Sequence, residues 1–481
     1  MNKPGRRPTH AIVFGISGAT WDVAAPLLAA GRLPHLQRLV ADGCSATMLS
    51  VRVAGDRHYR PQVGWVTAAT GCLPEHHGVT TFYQTADDCR RVTVWDAFQA
   101  HGRRVGLFAW PLTWPPKPLD GFVIPCYHAR NDTTWPPELA SVKRIERQQH
   151  EARQGREASG SLGRREWVDL SLHLWRNGIR PSAIPALGAC AGRLLLARDP
   201  ASRALALRHG KLEVSAAMFL HLYKRWRPHL GTFHSFLVDN VSHRYWRYRD
   251  PARFGERVSP MQGRLASAVD DAYVRTDRVL GRLLRVAPRD AMIAVVSEHG
   301  MAPEPSSNEV GEWQYMIRGP RLSALIGLAT ELVDTPIARW ISYRSPPGKS
   351  LPSDAVSRFR QVRVVETGLP LFNVYEHGSD EIIVKFSISK QVPRYLAGDL
   401  DALHVEYNGR RLPFCEIARR AGRQRSAMHD QRGILVLSGP DIRPGVKLPD
   451  CSLTDFAPTL LAAVGLPAPG PFDGRILDVF G

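Results

Sequence analysis

The sequence predicts an α/β protein, with a mostly parallel sheet flanked by helices and interrupted by two insertions. Three observations carry that expectation. Ala11–Ile16 is a continuous apolar run that stops at Gly18, as a buried parallel strand does. Thr232–Val238 and Met292–Val296 repeat the pattern, with helical spacing between them from Leu265 to Val286. Helix and strand alternate again from Val94 to Trp110, and such alternation sets parallel strands between helical layers.

The elements follow in order. Trp21–Asp42 has helical spacing through Leu27, Leu28, Leu33, Leu36, Leu39 and Val40, and Pro34 divides it in two. Residues 137–230 lack strand signals and read as a helical insertion, with a polar stretch at 143–166 that is expected to be exposed or mobile. Residues 302–428 read as a second insertion, mixed and cap-like, Pro-rich at 345–352 and strand-like near 381–386. Gly433–Leu437 is the last strand, and Asp455–Val464 the last helix. The economical organisation is one domain over residues 1–481 carrying these two insertions, without internal repeats.

Composition excludes several classes. With 44% hydrophobic and 22% charged residues in 481, the chain is neither disordered, collagenous nor a coiled coil. No apolar run reaches the roughly 18 residues of a membrane span, and no membrane partner is expected. The seven cysteines are far apart, without a C-x-x-C, which fits reduced thiols rather than a disulfide framework or zinc ribbon. The apolar stretch behind Lys3, Arg6 and Arg7 is too short for a signal-peptide core, so a cytoplasmic protein is expected. A net charge of +18 favours anionic partners, yet the arginines are scattered, which equally fits a GC-rich genome that encodes Arg often. No helix-turn-helix, RNA-recognition or zinc-finger signature accompanies the charge, so nucleic acid is not an expected partner.

Chemistry is expected where the strands end, because open α/β sheets hold ligands beyond their carboxyl ends. Ser17 follows the first strand; Asp239 and His243 follow the second; Glu298 and His299 follow the third; His429 precedes the last. A carboxylate and an imidazole four residues apart share a face if the chain turns helically there. Such groups are ligands of zinc and similar cations. Each residue alone also fits a hydrogen-bonded structural role; the repetition at successive strand ends is what favours a metal.

These residues resemble the alkaline phosphatase superfamily, within it the type I phosphodiesterase/nucleotide pyrophosphatase branch. Phe14–Asp22, Gly31–Pro34 and Leu39–Gly43 are similar to that family's opening strand and helix. Thr70-Gly71, Pro74 and His77-Gly78 match its T-G-x-x-P-x-x-H-G motif. Trp114–Pro116 with Asp120-Gly121, Asp239–His243, Ser297–Gly300, His429 with Gly433, and Asp455 with Pro458–Leu461 come after it in order. The matches span nearly the whole chain outside the insertions.

The resemblance implies an alkaline phosphatase-like three-layer core and a divalent-metal site. One metal would take Asp239, His243 and His429, all intact. The other would take an Asp at the first strand end, a hydroxyl nucleophile and an Asp-His pair. Here that second site is degenerate: Ser17 replaces the Asp, Glu298 precedes His299, and the nucleophile position, ten residues before Gly71, falls on Pro61. Proline has no hydroxyl, so the nucleophile is unknown. Asp56, His58 or Tyr59 in the preceding loop, or Ser17 itself, are the substitutes on offer, although polar residues in such a loop equally fit a solvated surface. The C-x-P-x-R motif of sulfatases is missing its Arg at Cys72–His76.

The resulting expectation is a metal-dependent hydrolase or transferase acting on a small phosphorylated or anionic substrate. It would use one metal, zinc first with manganese or iron as alternatives, and Glu298 and His299 as acid and base or as second-site ligands. The alternative is a catalytically inactive pseudoenzyme that keeps the fold for binding or scaffolding.

Overall fold

Ala11–Ile16 forms β1, buried at every residue. The computed structural model describes residues 8–56, 59–81, 84–129, 131–140, 143, 184–197, 199–255, 263–304, 313–328, 331–333, 340–345, 350–377, 381–387, 402–423 and 425–481. Two compact units emerge. The larger contains residues 1–149, 159–303 and 426–481, and the smaller is built on 304–425.

In the larger unit, β1 is followed by α1 (Trp21–Ala29), α2 (Pro34–Ala41), β2 (Gly43–Leu49), α3 (Pro61–Thr70), α4 (Pro74–His77), α5 (Val94–Ala100), β3 (Val105–Phe108) and β4 (Gly121–Ile124). Next come α6 (Ile184–Leu196), α7 (Pro200–Trp226), β5 (Leu230–Ser235), α8 (Leu237–Arg249), α9 (Ala268–Leu284), β6 (Met292–Val296) and β7 (Gly300–Pro303). The unit closes with β8 (Ala427–Asp430), β9 (Arg432–Ser438), β10 (Val446–Lys447), β11 (Cys451–Ser452) and α10 (Phe456–Ala463). The main sheet runs β10-β2-β9-β6-β1-β5-β3-β4, with β11 also on β2. Only β9 is antiparallel to its neighbours. Apolar clusters fill both faces: Phe14, Phe219 and Phe233 on one, Trp65, Phe98 and Phe456 on the other. Burial on two faces is why the central strands read as unbroken apolar runs.

The smaller unit has its own core around Tyr343, Phe359 and Phe414. Its largest sheet is antiparallel, ordered 372–377, 381–386, 340–344 and 331–333.

Two expectations need correction. Thr232–Val238 is not all strand: β5 ends at Ser235, and Leu237 already starts α8. A buried first helical turn is as apolar as a strand, so periodicity cannot separate them over so few residues. Lys143, in the stretch expected to be exposed, is fully buried and donates to the Cys126 carbonyl at 2.6 Å. The rest of 144–166 lies outside the described residues. Among the described residues, no helix is long and apolar enough to cross a membrane.

Candidate functional site

Three neighbouring strands of one polarity assemble the site. β6, β1 and β5 lie side by side and parallel, so the residues just beyond their carboxyl ends meet at one edge of the sheet. Ser17 comes directly after β1. Ser297, Glu298 and His299 form the turn between β6 and β7. Asp239 sits in the first turn of α8, its amide donating to the Ser17 carbonyl at 3.0 Å. Gly18 makes this approach feasible: its φ is +78°, and a Cβ there would lie 2.9 Å from the Asp239 Cα. His243 comes one helical turn later on the same face. His429 arrives on β8, which pairs antiparallel with β7.

Asp239, His243 and His429 converge. The Asp239 Oδ1 lies 3.2 Å from His243 Nε2 and 3.3 Å from His429 Nε2, and the two Nε2 atoms are 3.0 Å apart. Each ring is anchored through its other nitrogen: His243 Nδ1 donates to the Ala427 carbonyl at 2.6 Å, His429 Nδ1 to the Tyr59 carbonyl at 2.8 Å. A neutral imidazole that donates from Nδ1 presents a bare lone pair at Nε2. Two lone pairs and a carboxylate oxygen therefore point at one another with no donor among them, and Asp239 Oδ1 has no hydrogen-bond partner. A cation is what this arrangement lacks, and donors oriented through backbone carbonyls are how proteins hold one. The three ligand atoms lie within 4.8 Å of one another, so the residues present fit a divalent ion.

Burial alone would raise the Asp239 pKa, but the interactions of its carboxylate with His243 and His429 outweigh burial and hold it well below the usual range.

The neighbouring half of the site is built differently. Ser17 donates its hydroxyl hydrogen to Glu298 Oε1, and both side chains are fully buried. His299 Nε2 stands 3.3 Å from the same oxygen, while Nδ1 donates to the Gly300 carbonyl at 2.8 Å. The His299 ring stacks on His429 with centroids 4.0 Å apart. Burial first, with the Asp239 charge adding to it against the Ser17 hydrogen bond, drives Glu298 well above the ordinary carboxyl range. Burial, then the neighbouring His429, drives His299 well below 6.5. Both shifts favour the uncharged form, the protonated acid at Glu298 and the neutral ring at His299.

Pro61 is the buried first residue of α3. That helix borders the cluster, since a Cβ on Gly64 would sit 3.1 Å from the Glu298 Cβ. Of the loop before it, Tyr59 contributes its carbonyl rather than its side chain, and Asp56 pairs with Arg60 at 2.5 Å. His58 lies outside the described residues. The T-G-x-x-P-x-x-H-G segment is scaffold: Gly71 ends α3 at φ 67°, Pro74 begins α4, and His77 Nε2 lies 3.1 Å from Thr67 Oγ1. His76 instead pairs at the surface with Asp473. Sequence reasoning missed the three anchoring carbonyls, which no side-chain pattern encodes. It also missed Gln62, buried beside Pro61, whose Nε2 lies 2.9 Å from His128 Nε2.

A parallel sheet with this acid and imidazole cluster at its carboxyl edge defines a protein of the alkaline phosphatase superfamily. Within it, the chain belongs to the type I phosphodiesterase/nucleotide pyrophosphatase family, whose model matches residues 11–341. Members of that family are typically dependent on divalent metals. Among solved structures, murine ectonucleotide pyrophosphatase/phosphodiesterase 5 is similar at 14% identity, over 98% of this chain and 100% of that one, with a TM-score of 0.42. The human counterpart is similar at 13% identity over 97% of each chain, with a TM-score of 0.41. An inactive form of the murine protein in complex with AMP is similar at 15% identity over 97% of each chain, with a TM-score of 0.41. Comparison with curated proteins finds no sequence match.

Proposed function

We propose that the protein is a metal-dependent hydrolase or transferase of small phosphorylated substrates that works with one ion and without a covalent hydroxyl nucleophile. The observation that carries this reading is the convergence of Asp239 Oδ1 with two histidine lone pairs, each ring tied back to a carbonyl. Asp239, His243 and His429 would hold the ion, zinc before manganese or iron. When bound, such an ion supplies Lewis-acid polarisation of a phosphoryl oxygen and acidifies water.

The remaining steps belong to the chain itself. Pro61 has no hydroxyl to offer, and the Ser17 hydroxyl is committed to Glu298, so water or an acceptor hydroxyl attacks directly. Glu298 holds the proton at its carboxyl group. His299 Nε2, 3.3 Å from Glu298 Oε1, takes the proton of the attacking water or hydroxyl, and Glu298 gives its proton to the leaving oxygen. Neutral residues in this half leave room for the negative charge of a phosphoryl group, which a second carboxylate would repel without a second ion.

Elemental analysis of the purified protein, paired with turnover of a nitrophenyl phosphodiester, tests the reading. A single ion per chain and turnover, both lost in His243→Ala, are expected. Two ions per chain would restore the ordinary two-metal reading at Ser17 and Pro61. The buried Ser17–Glu298 hydrogen bond also favours a second reading, a pseudoenzyme that keeps the fold for binding. It requires that the metal-replete protein turn over no phosphomonoester, phosphodiester or sulfate ester.

A further inference from the structure

We propose that a cavity between α6, α7 and α9, sharing no residue with the cluster at the sheet edge, binds a phosphate monoester carrying an apolar tail. The cavity measures about 560 Å³, a volume suited to a small organic ligand.

Its charge is one-sided. Arg193, Arg264, Arg275 and Arg278 line it. Arg193, Arg264 and Arg278 have no hydrogen-bond or ion-pair partner among the described residues. The two carboxylates on the same wall are already engaged. Asp199 caps α7, accepting from the Ser202 amide at 2.9 Å and the Ser202 hydroxyl at 2.6 Å. Asp271 accepts from Arg32 at 3.4 Å and from Ser267 at 2.9 Å. Guanidinium groups gathered around one space repel each other until an anion enters, and their forked donors match phosphate oxygens.

A buried group also faces this wall without a partner. His209 is 4% exposed, and its Nε2 makes no hydrogen bond. Burial, then Arg275, Arg193 and Arg208, lowers its pKa to about 3, so the ring is neutral and can offer an N–H to an anion. A buried polar atom left unpaired is costly, and a ligand oxygen would satisfy it.

The rest of the lining is apolar. Leu205 and Val274 line the interior, and Leu196 lines it while remaining 79% exposed. Leu195, next in the chain, is 85% exposed. Apolar surface beside a basic recess suits an anion with a hydrocarbon part rather than bare phosphate. A soluble phosphate ester and a phosphate-headed lipid share that chemistry.

Calorimetric titration of the full chain with hexyl phosphate, inorganic phosphate and hexanol tests the assignment. The comparison needs the double variant Arg264→Glu/Arg278→Glu, both exposed positions, and His243→Ala at the other cluster. Arg360→Glu, exposed on the smaller unit, controls for net charge. Hexyl phosphate should bind the native chain, His243→Ala and Arg360→Glu alike, more tightly than inorganic phosphate or hexanol. The double variant should bind it at least about tenfold more weakly, the scale of a lost charged hydrogen bond. Absent binding, unchanged binding in the double variant, or binding lost in His243→Ala alone would overturn the proposal. Inorganic phosphate binding as well as the ester would overturn the tail. Sedimentation with phosphatidylcholine vesicles, with and without phosphatidic acid, then separates the sources. Retention that needs phosphatidic acid and both arginines assigns a lipid; hexyl phosphate binding without retention assigns a soluble ester.

Discussion

Asp239 and Glu298 stand at the same edge of the same sheet, both buried, and their surroundings drive them in opposite directions. Asp239 faces two imidazoles whose Nδ1 atoms are tied to carbonyls, and its carboxylate stays ionised. Glu298 faces the Ser17 hydroxyl and the lone pair of His299, and burial favours its protonated form. One half of the site is prepared for a cation, and the other favours a protonated acid in its place. The difference comes from neighbours rather than depth: in each case burial favours the protonated acid, and only Asp239 has two imidazoles beside it whose interactions outweigh burial.

Removing a donor from the first half should have the largest effect. His243→Ala should lose its ion and lower kcat/KM roughly a thousandfold, the several kcal/mol that such an ion supplies. Elemental analysis beside steady-state kinetics reads both, and full activity without the ion would end the distinction between the halves. Making the second half resemble the first comes next. Ser17→Asp sets a second carboxyl against Glu298 in a space from which water is excluded. It should destabilise the metal-free protein by about 3–5 kcal/mol, the cost of an uncompensated buried charge. A lowered Tm that added zinc restores is expected; a Tm unmoved in either condition would contradict the neutral second half.

His77 sharpens the comparison from outside the site, because there burial outweighs the pull of an acidic neighbour, Asp473. Its folded pKa is about 4 against the ordinary 6.5, with burial the main cause. Between those values the unfolded chain binds a proton that the folded chain refuses. Its contribution is therefore complete above about pH 6.5 and falls away as pH drops toward 4, by roughly 3 kcal/mol. Denaturant titrations across that window should show a steeper acid loss in the native chain than in His77→Gln.

Glu298→Gln should keep the ion content and lower kcat about a hundredfold, as for a lost acid or base. It should also flatten the limb of the pH–rate profile that Glu298 sets. An unchanged profile would make Glu298 structural. The smallest effect belongs to His76→Ala. Its pairing with Asp473 is a surface contact, worth under about 1 kcal/mol, and turnover should not change.

Much of the site was legible because its parts are local. D-x-x-x-H is one turn of α8, so its spacing puts Asp239 and His243 on one face, and S-E-H-G is a single turn that keeps Glu298 and His299 together at the end of β6. Ser17 and His429 were placed by the strands beside them. The start of α8 was not legible, because Phe236, Leu237 and Val238 are apolar in either conformation. Lys143 was misread because a charged residue signals solvent until a carbonyl such as that of Cys126 is close enough to accept from it.

By itself the sequence determined the alternating strands and helices, the order of the polar residues behind them and the replacements at Ser17 and Pro61. Those are matters of periodicity and residue type, which short-range sterics and burial express within a few residues. Only the tertiary structure decided that Ser17 would donate to a carboxyl 281 positions away and that Ala427 and Tyr59 would aim two histidines. Backbone carbonyls are the same in every residue. Which of them meets a ring depends on strand register and helix entry, and those depend in turn on the packing of the whole sheet.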